Sequence, residues 1–316
     1  MTIHALRDRP TPQLARALAE FERRFTYPLG PGRSFRISHG EDYPRFFRAM
    51  GPATCFIAQR DHRLVGAMGV AIRPLLMPDG SQREVAYIGD LKVDPDARGT
   101  AAFLRLALTA LAWARPQVDA AFGVVMDGTA ALPASYSGRV GIPSFLAVGK
   151  ISVIRFPTGR DQAAPADDRW TASRERGIEC YQALCAGRYT AWGGAPAERS
   201  EMMPLWLVHP DGTACGRLED TRRAKRLIDC NGTEMISAHL ACFAWRDPRA
   251  GAELIHAARR RAATENRPAL FVAVADQDVP ALEDALGVGE KVFAPATVYG
   301  AGLLSGPAWN INTSEI

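Results

Sequence analysis

Apolar and polar positions alternate along the chain in short blocks whose period changes from one block to the next. Leu14, Leu18, Phe21 and Phe25 recur at helical spacing behind Thr11-Pro12, a hydroxyl N-cap followed by proline at the first helical position, and they predict an amphipathic helix over residues 11–25. Phe35-Arg-Ile37 reads as a short strand, and Asp42 to Gly51 as a short helix closed by glycine. Thr54–Gln59 and Leu64–Ile72 flank the polar turn Arg60-Asp-His-Arg63 and make a hairpin. After a second turn at Pro78-Asp-Gly80 the pattern returns to period two from Glu84: Val85, Tyr87, Leu91 and Val93 fall on one face, Asp90 and Lys92 on the other. Asp94-Pro95-Asp96 ends this strand, because proline cannot donate to the ladder. Beyond Arg98-Gly99 a long apolar helix runs through Leu104, Leu108 and Leu111. Ala121–Met126 is the next strand, a short helix follows near Ala130–Tyr136, and Phe145–Phe156 is strand again.

Pro157 to Asp168 is polar and rich in proline and alanine, and the pattern resumes beyond it. Pro204–Val208 and Thr213–Leu218 flank the turn His209-Pro-Asp-Gly212, and Met235–Trp245 is a long apolar strand ended by Asp247-Pro248. A helix over 251–264 carries Leu254, Ile255, Ala258 and Ala262 on one side; Leu270–Ala275, a helix over Val279–Leu286 and a strand over Val292–Tyr299 complete the order. The recurrence predicts an α/β (α+β) chain of two tandem units, each a mixed, mostly antiparallel twisted sheet flanked by helices: residues 1–157, a linker at 158–172, and residues 173–316.

A strand that turns through Arg98-Gly99 into a helix presents unpaired amides at its tip, and these with the helix dipole suit a phosphate or diphosphate. This strand-loop-helix resembles the acyl-CoA site of the GCN5-related N-acetyltransferases. In that family a strand ending Leu-x-Val leads into x-Pro-x-x-Arg-Gly-x-Gly-x-Gly or Ala. Leu91, Val93, Pro95, Arg98 and Gly99 match; Thr100, Ala101, Ala102 and Phe103 stand where the glycine-spaced loop would be, Phe103 at a usual glycine position. The resemblance covers roughly residues 30 to 156. The second unit has Asp247-Pro-Arg-Ala-Gly251 in the corresponding place, where Asp247 would repel a diphosphate, so one donor site per chain is expected. The chain is then a monomer, with an intrachain pseudo-dimer replacing the dimer common in this family, or a homodimer.

The length fits two ordinary domains, and the apolar and charged fractions are those of a soluble globular protein. No apolar run reaches the roughly 20 residues that span a bilayer, and the N-terminus lacks a signal-peptide core. The six cysteines show no Cys-x-x-Cys spacing and read as buried reduced thiols, so a cytoplasmic protein without metal or membrane partner is expected. A net charge of +4 is too small to argue for nucleic acid. The one basic cluster, Arg222-Arg-Ala-Lys-Arg226, reads as a solvated face, with an acidic carrier-protein surface as the alternative.

The resemblance implies an acyl-CoA-dependent N-acyltransferase, acetyl-CoA first among donors, acting on a primary amine of a small molecule. A longer acyl chain from a carrier protein, or acyl-CoA binding without catalysis, are the alternatives. Arg98, Gly99, Thr100, Ala101, Ala102 and Phe103 would hold the diphosphate, Leu91 and Val93 would line the pantetheine, and the backbone N–H near Leu91 would stabilise the thioester oxygen. Asp90, a carboxylate in an apolar strand, is the candidate base or ammonium partner, because an alkyl amine with a pKa of about 10 must lose a proton; pairing with Lys92 is the competing reading. Tyr136 is the expected acid for the departing thiolate, though one residue off the family's spacing, which Ser137 has. Asp127 either meets substrate or caps the following helix. Tyr27, Phe46 and Phe47 cover the acceptor pocket or are core, and His39 and His62 are expected to face water.

Overall fold

The structure is a computed structural model and describes residues 1–30, 32–159 and 168–316, so residues 160–167 of the expected linker lie outside the described residues. The first half contains β1 (Thr2–Leu6), α1 (Pro12–Glu22), β2 (Tyr27–Pro28), β3 (Ser34–Ser38), α2 (Arg45–Arg48), β4 (Ala53–Arg60), β5 (Arg63–Leu76), β6 (Gln82–Val93), α3 (Ala102–Ala114), β7 (Ala121–Met126), α4 (Pro133–Tyr136) and β8 (Leu146–Pro157). The second contains β9 (Thr171–Ala172), α5 (Arg174–Leu184), β10 (Tyr189–Ala191), α6 (Pro196–Arg199), β11 (Leu205–Val208), β12 (Ala214–Glu219), β13 (Arg226–Asp229), β14 (Ala238–Trp245), α7 (Pro248–Thr264), β15 (Ala269–Ala275), α8 (Val279–Leu286), β16 (Val292–Ala301) and β17 (Trp309–Asn310).

One mixed sheet of 14 strands runs through both halves, in the order β1-β4-β5-β6-β7-β16-β8-β15-β14-β12-β11-β9, with β10 and β17 attached beside it. β8 of the first half and β16 of the second each pair only with strands of the other half. β8 lies between β15 and β16, and β16 lies between β7 and β8, all antiparallel. A second small sheet, β13-β3-β2, also joins the halves. Helices cover the large sheet. Ala102, Leu106, Ala110 and Ala114 are the buried side of α3, and Leu106 lies over Gly66, where a Cβ would come within 2.7 Å of it. α7 buries Leu254, Ile255, Ala258 and Ala262, the predicted stripe.

The structure corrects one face assignment. Val85 and Tyr87 pack in the same core as Phe122 and Trp309, whereas Leu91 and Val93 pack on the opposite side of the sheet beside α3. The cause is a β-bulge. Ala67 pairs with Lys92 and Gly69 with Gly89, so Met68 opposes two residues, Asp90 and Leu91. Asp90 takes a left-handed backbone (φ 53°), and the extra residue inverts the alternation beyond it. Lys92 therefore points to the Tyr87 side and is buried.

Candidate active site

β6 and β7 run parallel but pair only at Ala86–Ala121 and Tyr87–Phe122, and then diverge. At the fork a Cβ on Gly123 would lie 2.6 Å from the Ile88 carbonyl oxygen, so only glycine lets the backbones separate from that point. A cavity of about 700 Å³ occupies the divergence. It is lined from the helical side by Phe103, Ala107, Ala110 and Leu111 of α3, along the strands by Gly89, Asp90, Leu91 and Gly123–Met126, and from the other side by Tyr27, Leu29, Phe35, Leu227, Lys225 and His239. Residues from both faces of the sheet meet in one cavity, so the divergence is a passage through the sheet, roofed at the far end by the small β13-β3-β2 sheet.

At the helical end, Pro95–Ala97 forms a single 3₁₀ turn capped by Asp94, and Gly99 adopts φ 77° before α3 starts. Thr100 N–H bonds to Ala97 O at 3.2 Å and Ala102 N–H to Thr100 Oγ1 at 3.3 Å. The amides of Gly99, Ala101, Phe103 and Leu104 have no acceptor among the described residues. These amides sit at the N-terminus of a 13-residue helix without an acidic residue in its first turn, an arrangement that binds anions. In the second half the Asp247 side chain instead accepts from the Arg249 amide at 3.1 Å and caps α7.

Phe103 and Tyr136, distant in sequence, meet edge to face with ring centroids 4.8 Å apart, and both line the cavity. Burial, with Tyr299 nearby, pushes the Tyr136 phenol up to about 12, so it is protonated at neutral pH. Ser137 Oγ accepts from the Phe145 amide at 3.0 Å and holds the loop that follows. Asp127 does not cap α4; its carboxylate accepts from Thr297 Oγ1 at 2.8 Å.

Asp90 lies at the bulge with its carboxylate almost fully buried. It accepts from the Tyr43 hydroxyl and from Lys92 Nζ, and His39 Nδ1 lies 3.8 Å away. Burial acts to raise its pKa, but the Lys92 and His39 charges and these hydrogen bonds outweigh it, and the carboxyl is held below its ordinary value. Lys92 also reaches Glu22 Oε1 at 3.4 Å and lies 5.9 Å from the Tyr27 ring centre. His39 is buried, contrary to the expectation from its turn position, with Nδ1 2.5 Å from Glu22 Oε1; His62 is exposed in its hairpin turn. Glu22, His39 and Asp90 bring one ligand atom each within 4.8 Å of one another, but the Lys92 ammonium already bonds both carboxylates and takes the place of a cation. Tyr27 lines the cavity, whereas Phe46 and Phe47 are buried core. Glu84, further back on β6, is exposed.

The basic cluster is not a solvated face throughout. Arg222 pairs with Glu201 and Glu234, but a turn in which the amides of Ala224 and Lys225 both bond to Thr221 O swings Lys225 inward. Lys225 is 3% exposed, lies 4.5 Å from the Phe46 ring centre and donates to the Ile316 main-chain oxygen. Burial, reinforced by Arg199, pulls its ammonium down to about 7. His239 stacks on Phe271 with its Nδ1 3.0 Å from Thr313 Oγ1; burial and the Lys225 charge pull it down to about 3, so it is neutral. Sequence reading put Lys225 in the basic cluster as a solvated face and passed over His239. The only trace of the burial of Lys225 was its place directly before the alternating segment Arg226-Leu-Ile-Asp229, which pairs with β3.

The model of the acetyltransferase (GNAT) family matches residues 17–134. Among solved structures, Saccharomyces cerevisiae N-myristoyltransferase with bound myristoyl-CoA superposes on 99% of this chain and 87% of its own, with a TM-score of 0.60 at 12% identity. The same yeast enzyme with bound myristoyl-CoA and inhibitors gives a TM-score of 0.60 at 11% identity, over 99% of this chain and 84% of its own. No match was found among curated protein sequences.

Proposed function

We propose, from the match of residues 17–134 to the model of the acetyltransferase (GNAT) family and from the fold that the chain shares with N-myristoyltransferase, that this is an acyl-CoA N-acyltransferase whose donor carries a long acyl chain. The observation behind this reading is the cavity. An acetyl group needs little room beyond the thioester, whereas about 700 Å³ of mostly apolar space lies around the fork, within the range of pockets that bury whole ligands. The solved relative named above was crystallised with myristoyl-CoA. An acetyl donor is the second reading, supported by the family description.

In this account the amides of Gly99, Ala101, Phe103 and Leu104, with Arg98 beside them, hold the diphosphate; Leu91 and Val93 flank the pantetheine arm; and the bulge at Asp90–Leu91 turns a backbone N–H toward the thioester oxygen. The ammonium first loses a proton to water; its nitrogen then attacks the thioester carbon, the C–S bond breaks, the thiolate takes a proton from the Tyr136 phenol, and the phenolate recovers one from the newly acylated nitrogen. A carboxylate of lowered pKa is a weak base, so Asp90 attracts the incoming ammonium through the cavity wall and does not take its proton. Asp127 braces β7 against β16 through Thr297, and Tyr27 closes the acceptor end. The acceptor is a small primary amine. The test is release of free thiol from acetyl-, octanoyl- and myristoyl-CoA with a panel of amines. Turnover that rises with chain length supports the long-chain reading; turnover with acetyl-CoA alone supports the second; and binding without thiol release for any amine removes catalysis.

A further inference from the structure

Five large apolar side chains stand exposed on the outer surface around this cavity: Leu108 at 39%, Leu132 at 40%, Val140 at 65%, Leu146 at 62% and Leu304 at 74%. The wall that carries three of them is two-sided. Pro133, Tyr136, Ile142 and Phe145 of the 132–146 segment line the cavity, while Leu132, Val140 and Leu146 of the same segment face out. Neighbouring contacts join the others to it. A Cβ on Gly141 would meet Leu108 at 3.9 Å, and Leu146 pairs with Gly300, against whose Cα Leu303 packs just before Leu304. Charge around this rim is mostly positive, with the exposed Asp96 and Asp119 beyond the two ends of α3 paired to Arg63 and Arg83. Residues 97–118 and 128–150 hold five cations, Arg98, Arg105, Arg115, Arg139 and Lys150, and no aspartate or glutamate. Arg115 reaches across to the Gly141 carbonyl at 3.2 Å, so the cationic helix and the apolar loop form one surface.

We propose that this rim docks on the surface of an anionic lipid bilayer, with Leu132, Val140 and Leu146 entering the interface and the arginines meeting lipid phosphates. Contiguous exposed apolar side chains on a soluble domain mark an interaction surface. Exposed apolar side chains beside an excess of cations, with the bordering Asp96 and Asp119 paired to Arg63 and Arg83, match an anionic interface, where apolar burial and attraction to lipid charge add. No helix among the described residues is long and apolar enough to cross a membrane, so the contact is peripheral. The surface itself does not depend on acyl-chain length. Only its use rests on the long-chain reading: N-acylation removes the charge of the amine, and the resulting amphiphile leaves the cavity for lipid without crossing water.

The test is co-sedimentation of the full chain with phosphatidylcholine vesicles, with and without phosphatidylserine, at low and high salt. Binding to the anionic vesicles only is expected. Each cation removed, beginning with Arg139→Gln, lowers the partition coefficient about fivefold. High salt shortens the Debye length from about 8 to about 3 Å and weakens binding further. The double variant Val140→Asp/Leu146→Asp alters exposed residues that do not line the cavity. It loses vesicle binding while its circular dichroism and its thermal shift with CoA match wild type. Absence of wild-type binding to anionic vesicles, equal binding to neutral ones, or unchanged binding of the double variant overturns the proposal. None of these results bears on donor chain length, which thiol release measures separately.

Discussion

At the scale of single residues, Phe103 and Tyr136 depart together from the family pattern and are explained together. A phenyl ring where glycine is usual gives Tyr136 an edge-to-face partner at 4.8 Å inside the cavity, and such pairs contribute about 0.5–1.5 kcal/mol. We expect Tyr136→Phe to keep this contact and lower turnover by about 10²-fold or more, as loss of a general acid does, with little change in acyl-CoA affinity because the interaction belongs to the transition state. Kinetics and calorimetry on this variant check both halves of the statement, and wild-type turnover would remove the acid role. Ser137 has the expected spacing, but its Oγ accepts from the Phe145 amide and holds the loop, so Ser137→Ala should act mainly on the loop and on stability. Spacing alone could not separate the two residues: both line the cavity, and the difference is that the Ser137 hydroxyl is held by the Phe145 amide whereas the Tyr136 ring packs on Phe103.

At the scale of elements, the strand–loop–helix around Arg98–Gly99 was legible because its signals are local: proline to stop the strand, glycine for the left-handed turn, an apolar stripe for the helix. Most other elements also follow their periodicity, and Ala121–Met126 and Val279–Leu286 have the predicted bounds. What the sequence hid is non-local. The bulge that sends Leu91 and Val93 to the α3 side depends on how β5 pairs with β6. Lys225 turns inward because Thr221 ties its amide and β13 joins β3 across the halves. His39 is buried because Glu22, on the covered face of α1, accepts from it. Two predictions belong here. Gly99→Asp places a carboxylate among the unpaired amides and should abolish the thermal stabilisation that CoA gives by mass action; an unchanged shift would clear this loop of donor binding. Gly123→Val forces side-chain atoms onto the Ile88 carbonyl, 2.6 Å from where its Cβ must lie, and should cut both stability and turnover; wild-type melting and turnover would show that the fork does not need glycine.

At the scale of the whole molecule, the halves are interlocked by exchange of β8 and β16, and a buried ion network ties the C-terminal segment to both. Arg73 pairs with Glu315 at 2.9 Å, Arg199 with Glu315 and Glu219, and Arg217 with Glu219. A separately produced 173–316 fragment would lose both neighbours of β16 and is expected to remain unfolded by circular dichroism; a cooperative melt would show that the second unit stands alone. Burial acts to raise the Glu219 pKa, but Arg199 and Arg217 outweigh it and hold the carboxyl at about 2, against an ordinary 4.5. A depressed folded-state value contributes stability above the unfolded pKa that is lost as pH falls through the folded one. The contribution, about 3 kcal/mol from the shift, is therefore full at neutral pH and disappears between pH 4.5 and 2. Urea unfolding of wild type and Glu219→Gln across this range should show a gap that narrows with acid, and a constant gap would contradict the assignment.

The central claim is that an acyl-CoA threads the fork and lays a long chain in the cavity between α3 and the roofing strands. Calorimetric titration with acetyl-, butanoyl-, octanoyl-, dodecanoyl- and myristoyl-CoA measures it without an acceptor. Burial of one methylene is worth about 0.8 kcal/mol, or about fourfold in affinity, so affinity should climb steeply with chain length until the cavity is full, at one ligand per chain. In Ala107→Trp, which fills the cavity from α3, the climb should stop early. Equal affinity for acetyl- and myristoyl-CoA, or a climb unaffected by Ala107→Trp, would contradict the account.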